Sequence, residues 1–128
     1  MHRNLVLLFL GLLPCVNGLW ASVEKTVLVH YLPWFSTKTE NQEWGWHWTM
    51  NHRDPDLVKW DGTREIASHD YPLIGLYDSG DEWVLECQVQ QMKLAGIDGV
   101  IIDWYGIDPI NDYPMIHENT ELLVSIIK

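Results

Sequence analysis

An acid and two aromatic residues follow a predicted buried strand near the C-terminal third of the chain. Residues 100–102 form a continuous β-branched run, typical of a strand covered on both faces in a parallel sheet. Asp103, Trp104 and Tyr105 come directly after it, and ligands bind at the carboxyl ends of such strands. Ring faces stack on the C–H face of a pyranose, while a carboxylate accepts hydrogen bonds from hydroxyls. These residues therefore predict a sugar-contacting edge.

A first strand, predicted over residues 25–31, has the same pattern at its end. It is short and β-branched, and Pro33 stops it. Tyr31 and Trp34 then lie at its carboxyl end, as the aromatic residues do at the other strand. Both strand ends are thus expected to carry rings to one side of the sheet.

Asp103 has three interpretations. We favour an acceptor for sugar hydroxyls; a structural aspartate bonded to backbone amides and a catalytic acid with a partner outside this chain remain open. Asp98 is not that partner, because on a strand the two residues point to opposite faces about 16 Å apart. Paired glycosidase carboxylates lie about 5–9.5 Å apart.

Residues 36–71 show neither strand nor helix periodicity, and a loop of this length in a compact domain is usually functional. The chain has eight tryptophans, and many of them fall in this region. We expect Trp34, Trp48 and Trp104 to face a cleft, and Trp44 or Trp60 to pack the loop onto the domain.

Two helices are predicted after the loop. Ser79 and Glu82 form a capping-box pattern, and an apolar repeat at i, i+4 and i+7 runs from there to a stop at Gly96. Pro114 fits the first turn of a second helix, with Asp112 as its cap.

The resulting order is strand, long loop, helix, strand, loop and helix, which is an α/β pattern. Two parallel strands cannot close a sheet, and a (β/α)8 barrel needs about 250 residues. We therefore expect residues 22–128 to be the N-terminal part of a larger (β/α)8 TIM barrel, containing about two βα units. The alternative, a complete chain that assembles with itself, would leave exposed strand edges.

The N-terminus has the outline of a secretory signal peptide, predicted over residues 1–21. A short basic region precedes an apolar run that is too short for a bilayer-spanning helix of about 20 residues. The predicted destination is secretion, the periplasm or the secretory pathway. A membrane anchor, a buried helix and a lipoprotein modified at Cys15 are the alternatives.

Charge and cysteine usage narrow the class of partner. The formal net charge is −10, which argues against a nucleic-acid partner because such proteins need a basic patch.

After signal removal Cys87 is the only cysteine, and we expect it to be a small buried residue on a helix. The histidines lack zinc-type spacing, so no metal is expected. His47 is either a sugar contact or a hydrogen-bonded loop residue.

Five sequence blocks in this order resemble the start of a glycoside hydrolase family 71/99-like protein, a group related to the endo-α-mannosidases of family 99. The blocks are Tyr-Leu-Pro-Trp-Phe at 31–35, Gly-Trp-His-Trp at 45–48, Tyr-Pro-Leu-Ile-Gly-Leu-Tyr-Asp-Ser at 71–79, Ala-Gly-Ile-Asp-Gly-Val at 95–100 and Asp-Trp-Tyr-Gly at 103–106. Family 99 enzymes tend to have a Ser-Trp-Trp type sequence at the position of Asp103, and this chain departs from it.

The resemblance implies a (β/α)8 barrel that acts on α-linked glycans, α-mannosides or α-glucans, with retention of configuration and without a cofactor. It places both catalytic carboxylates beyond Lys128, so no catalytic residue is assigned here. It implies a glycan-contacting first wall of the cleft, made by Tyr31, Trp34, His47, Trp48, Tyr77, Asp78, Asp103, Trp104 and Tyr105.

Three functions compete at this stage. The leading hypothesis is the N-terminal fragment of a secreted, endo-acting glycoside hydrolase, inactive by itself, with a glycan as its partner and no stable membrane insertion after signal cleavage. A non-catalytic carbohydrate-binding protein on a degenerate barrel would use the same aromatic residues. A truncated product without a stable fold is the third hypothesis.

Overall fold

A computed structural model of the protein describes residues 25–128, so the predicted signal peptide at 1–21 lies outside the described residues. None of the helices in this part of the chain is long and apolar enough to cross a membrane. The elements in chain order are β1 (Leu28–Tyr31), α1 (Lys38–Asn41), α2 (Trp46–Thr49), α3 (Glu82–Leu94), β2 (Gly99–Ile102) and α4 (Tyr113–Ile127).

The two strands pair in parallel, as their sequence pattern predicts, and the first is shorter than the predicted 25–31. Leu28 pairs with Gly99 and Tyr31 with Ile102, so both strands end at the same level. The N–H of Asp103 continues the ladder by donating to the Tyr31 carbonyl at 2.9 Å. This register brings the residues that follow each strand to one edge.

Helix α3 connects the strands and has the predicted length, but its cap differs from the prediction. Asp81, not Ser79, is the N-cap: its carboxylate accepts from the backbone N–H groups of Trp83 and Val84. The Ser79 hydroxyl instead accepts from the Phe35 N–H at 3.1 Å. The capping-box interpretation is therefore wrong, because a non-local loop contact uses the serine.

The other end of α3 stops as predicted. Gly96 has φ +73°, a left-handed conformation that glycine adopts without strain. The N–H of Gly96 donates to Lys93 and that of Ile97 to Met92, which is the Schellman pattern. Cys87, expected to be buried, is exposed, because the buried positions of α3 are Leu85 and Val89.

Helices α3 and α4 pack against each other over one face of the sheet. On α4 the predicted apolar face is buried at Ile116 and Leu123, whereas Ile127 at the helix end is exposed. Asn119 on the same face is buried, and its amide donates to the Pro33 carbonyl at 2.9 Å. The shared core contains Leu85, Val89 and Leu123, packed by Tyr31, Met92, Val100, Ile102, Leu122 and Ile126.

The opposite face of the sheet carries no helix among the described residues. Ile101 is 56% exposed and Leu28 52% exposed, while Val100 and Ile102 pack on the core. The expectation that β2 is covered on both faces is therefore wrong for residues 25–128. The reason is that both long helices pack on the same side.

The loop between β1 and α3 contains α1 and α2, which the absence of periodicity did not predict. Its two ends are tied together by Asp78, whose Oδ2 accepts from the Thr37 N–H at 2.7 Å and whose Oδ1 accepts from the Gly80 N–H at 2.9 Å. We call this contact of Asp78 with Thr37 the loop neck. It fixes where the loop leaves and rejoins the domain.

Candidate functional site

A cleft of about 600 Å³ lies at the carboxyl edge of the sheet, and we call it the strand-end cleft. Its walls come from helix α2 and from the loop between β2 and α4, because both segments leave the sheet at this edge. Its volume falls within the range of about 300–1,000 Å³ that is common for small-ligand sites. The lining residues are Trp46, His47, Tyr105, Asn111, Asp112 and Tyr113.

His47 is held in this cleft on three sides. Its ring stacks face to face on Trp34, with centroids 4.1 Å apart and planes at 1°. Trp46 meets it edge-on, with centroids 5.0 Å apart. Its Nε2 lies 3.1 Å from Oδ2 of Asp112, the residue before α4. Because these contacts leave the side chain only about one-tenth exposed, the imidazole has a fixed orientation.

The surroundings of His47 favour the neutral imidazole. Burial lowers the pKa of His47 below its ordinary value, and the carboxylates of Asp112 and Asp103 oppose that shift. An ionised carboxylate can only accept, so in the neutral ring Nε2 carries the proton and donates it to Asp112. Nδ1 is then an acceptor for a hydroxyl donor.

Tyr105 forms another wall of the cleft. Its ring lies 6.2 Å from Trp34 and 5.3 Å from Tyr113, measured between centroids. Burial, followed by the nearby charges of Asp103 and Asp112, raises the pKa of Tyr105, so the phenol keeps its proton.

The strand-end cleft therefore combines ring faces with fixed hydrogen-bonding groups. Trp46, Tyr105 and Tyr113 supply aromatic surface, and His47 and Asp112 supply hydrogen-bonding groups. Such a set matches a ligand with both apolar C–H faces and hydroxyls. Two of the sequence-predicted residues, His47 and Tyr105, line this cleft. Trp34 contacts both of their rings but is not a lining residue.

Two other predicted contacts are packing residues. Trp48 is 0% exposed, packs against Phe35 with ring centroids 4.2 Å apart and donates from Nε1 to the Tyr77 carbonyl at 3.2 Å. The prediction that Trp48 contacts substrate is therefore wrong, because its ring fills the base of the loop. Tyr31 packs on the core, and its hydroxyl donates to Oε1 of Gln88 at 2.6 Å. Burial raises the pKa of Tyr31, so this donor persists.

Trp104 points away from the strand-end cleft. Its ring lies 6.0 Å from that of His117, and both line a different groove along α4. Trp104 is half-exposed there, so a predicted aromatic residue is accessible but on another surface.

Tyr77 and Asp78 also lie outside the strand-end cleft. Phe35 separates them from His47, with ring centroids 6.4 Å from His47 and 5.4 Å from Tyr77. Asp78 is buried in the loop neck, and both Tyr77 and Asp78 line a separate cleft. The residues that were predicted to form one wall of a cleft therefore lie on two sides of Phe35.

Sequence reasoning missed Asp112, Tyr113 and Trp46 as site residues. Asp112 was assigned as the cap of α4, and it does occupy that position, but its side chain makes no cap hydrogen bond. The sequence feature that could have identified Asp112 was its place in the loop after β2, because such loops form the ligand-binding edge of parallel sheets.

Among the described residues, no three His, Cys, Asp or Glu side chains converge to hold a metal.

The fold and site define a class: an α/β unit with an aromatic and acidic cleft at the carboxyl edge of parallel strands. No protein-family model matches the chain. Solved structures do resemble it, among them two of the GH99 endo-alpha-mannosidase from Bacteroides thetaiotaomicron. One, in complex with BIS-TRIS-propane, is 19% identical with a TM-score of 0.56 over 80% of this chain and 26% of that chain. The other is 22% identical with a TM-score of 0.55 over 78% of this chain and 29% of that chain.

These similarities confirm the resemblance at the level of the fold. The described part of the chain has a GH99-like, and thus glycoside hydrolase-like, fold. The chain spans less than a third of the length of either structure it matches.

Proposed function

We propose that the chain is the N-terminal part of a secreted glycoside hydrolase that acts on α-linked glycans. The observation that carries the proposal is the strand-end cleft, in which His47 and Tyr105 combine hydrogen-bonding groups with ring faces. The GH99-like fold supports the same conclusion, because the similar structures are named endo-alpha-mannosidases. The substrate is an α-mannoside or an α-glucan, cleaved internally with retention.

The exposed face of the sheet supports the proposal of an incomplete (β/α)8 barrel. In a barrel the helices form an outer ring and the other face of each strand points into the barrel. Both long helices lie on one side here, and Ile101 on the other side is uncovered. Further strands would cover Ile101, and the catalytic carboxylates would come from those strands, beyond Lys128.

Glycan binding by the chain tests the site directly. Isothermal titration with α-1,6- and α-1,3-linked mannooligosaccharides and with maltooligosaccharides is expected to show weak, saturable binding to one of these series. Tyr105→Ala removes one ring of the cleft and should abolish that binding, whereas Trp60→Ala, far out in the loop, should leave it unchanged. Absence of binding to every series would overturn the assignment of this cleft.

The encoding locus downstream of the Lys128 codon tests the enzyme. A continuing frame with further strand–helix units and two carboxylates at later strand ends is expected, and its product should hydrolyse the bound glycan with retention. A stop codon at that point would remove the hydrolase interpretation for this product.

A non-catalytic glycan-binding protein is the second candidate function. It is favoured by the contact of Asp112 with His47, which commits the carboxylate that lines the cleft to a neighbouring side chain. Glycan binding without turnover by the full-length product would establish it.

A further inference from the structure

A second cleft, of about 620 Å³, lies on the other side of Phe35 and shares no lining residue with the strand-end cleft. We call it the loop groove. Helix α3 runs back antiparallel to the strands that it connects, so its first turn lies on the same side of the domain as the strand-end cleft. The loop groove lies between this turn and the long loop, and its main walls are Trp44, Arg64, Tyr71, Ile74, Asp81 and Trp83.

Large apolar side chains are exposed in this groove. Trp83, in the first turn of α3, is 79% exposed, and Ile74 and Tyr71 on the opposite wall are also exposed. Exposed apolar groups that converge on one cleft, rather than being scattered singly, mark a binding surface. Within residues 25–128 the core does not use Trp83, because the buried positions of α3 begin at Leu85.

The polar groups of the loop groove exclude an anionic ligand. Arg64 is the one lysine or arginine side chain among its lining residues, and two carboxylates, Asp78 and Asp81, line the same groove. The Arg64 guanidinium is already placed, with Nη1 donating to the Pro55 carbonyl at 2.7 Å and the group lying 5.6 Å from the Trp44 ring centroid. A phosphate-rich partner would need several free cations.

A neutral, hydroxyl-rich chain fits these walls. Ring faces at Trp83 and Tyr71 can stack on pyranose rings, and the hydroxyl of Thr39 and the carboxylate of Asp81 lie among the lining groups that can bond to hydroxyls. We propose that the loop groove is a second glycan-binding site, which holds a neutral glycan segment outside the strand-end cleft. The inference rests on the proposed function in that both clefts would bind the same polymer.

Matched tryptophan variants test the site in the full chain. Trp83→Ala should weaken binding of long α-mannan or α-glucan chains about fivefold, the loss expected when one ring contact is removed. Trp83→Phe keeps a ring and should restore most of the affinity. Trp60→Ala is the control, because Trp60 is 98% exposed and lies outside the lining of the groove.

Cys87 offers a second measurement that does not depend on overall affinity. It is exposed and lines the loop groove, so a bound glycan should slow its alkylation by iodoacetamide. Mass spectrometry of the peptide that contains Cys87 reads this rate separately from Cys15. Protection by the long glycan, lost in Trp83→Ala, is the expected result.

The outcomes separate this site from the strand-end cleft. If Trp83→Ala binds like Trp60→Ala and Cys87 is not protected, the second site is overturned while a loss in Tyr105→Ala still supports the proposed function. If Trp83→Ala weakens binding and Tyr105→Ala does not, the second site stands and the function assigned to the strand-end cleft fails. Protection of Cys87 by a proline-rich peptide but not by glycans would overturn the glycan assignment.

Discussion

Asp112 occupies the N-cap position of α4, yet its carboxylate pairs with His47 instead of capping the helix, with 3.1 Å between Oδ2 and Nε2. The two residues are 65 positions apart in the sequence. Their contact joins the long loop to the start of α4, and both residues line the strand-end cleft. Substitutions of Asp112 or His47 are therefore expected to affect the strand-end cleft, which a local rule for helix capping would not predict.

Replacing Asp112 by Asn should lower the pKa of His47 further. Burial already lowers this pKa and the Asp112 charge opposes that effect, so removing the charge leaves burial less compensated. The Asp112 side chain makes no cap hydrogen bond, so the substitution removes none from the start of α4. NMR titration of the histidine ring protons measures the change, with the exposed Glu118→Gln on the same helix as the control. An unchanged or higher pKa in Asp112→Asn would contradict the electrostatic role.

His47 should also make folding stability depend on pH. Its pKa in the folded chain lies below the ordinary 6.5, so between these two values the unfolded chain binds more protons. The free energy of unfolding is therefore expected to fall as the pH drops below about 6.5 and to level off below the folded pKa. Urea titrations from pH 7.5 to 5 measure it. His47→Gln should reduce the slope, and the exposed His69→Gln should not; equal slopes in both variants would refute the assignment.

The buried and exposed tryptophans of the loop should differ sharply in their effect on stability. Trp48 is fully enclosed, so Trp48→Ala is expected to lower the free energy of unfolding by about 3–5 kcal/mol. Trp60→Ala at the exposed end of the loop should change it by no more than about 0.5 kcal/mol. Equilibrium urea unfolding compares them. A small loss in Trp48→Ala would return Trp48 to the list of ligand contacts.

Asp78→Asn tests the loop neck. The variant replaces one acceptor oxygen by an NH2 group, so one of the two backbone N–H groups, of Thr37 or Gly80, loses its partner. The expected loss of stability is about 1–3 kcal/mol, and amide exchange should accelerate at Thr37 or at Gly80, whichever loses its acceptor. Asp70→Asn, at an exposed position of the same loop, is the control. Unchanged exchange at both Thr37 and Gly80 would show that the neck does not depend on this carboxylate.

Local sequence patterns predicted the parts of the fold that depend on near neighbours. The spacing of Leu85, Val89 and Met92, followed by Gly96, gave α3 and its end, since apolar periodicity and glycine stops act within a few residues. The N-cap was misassigned because Ser79 meets Phe35, 44 positions away. A local sequence motif does not show whether Ser79 or Asp81 will form a hydrogen bond with a distant segment of the chain.

The site was harder to predict than the fold for the same reason. Trp48 and Trp60 lie in a segment without periodicity, so nothing in the sequence ranks their burial. His47 and Tyr77 both contact Phe35, yet they line different clefts. Side-chain types indicated the chemistry of the surface, whereas the division into two clefts depends on tertiary packing.

The loop neck has an evolutionary consequence. Because Asp78 holds the Thr37 N–H across 41 positions, the segment between them enters and leaves the domain at fixed points. Doubling the length of a closed loop costs only about 0.6 kcal/mol, and exposed loop tips are where insertions are best tolerated. Residues 50–62, most of them exposed, can thus be lengthened, shortened or exchanged among descendants of this chain while the sheet edge keeps its geometry. Selection for a new ligand would act first on this stretch.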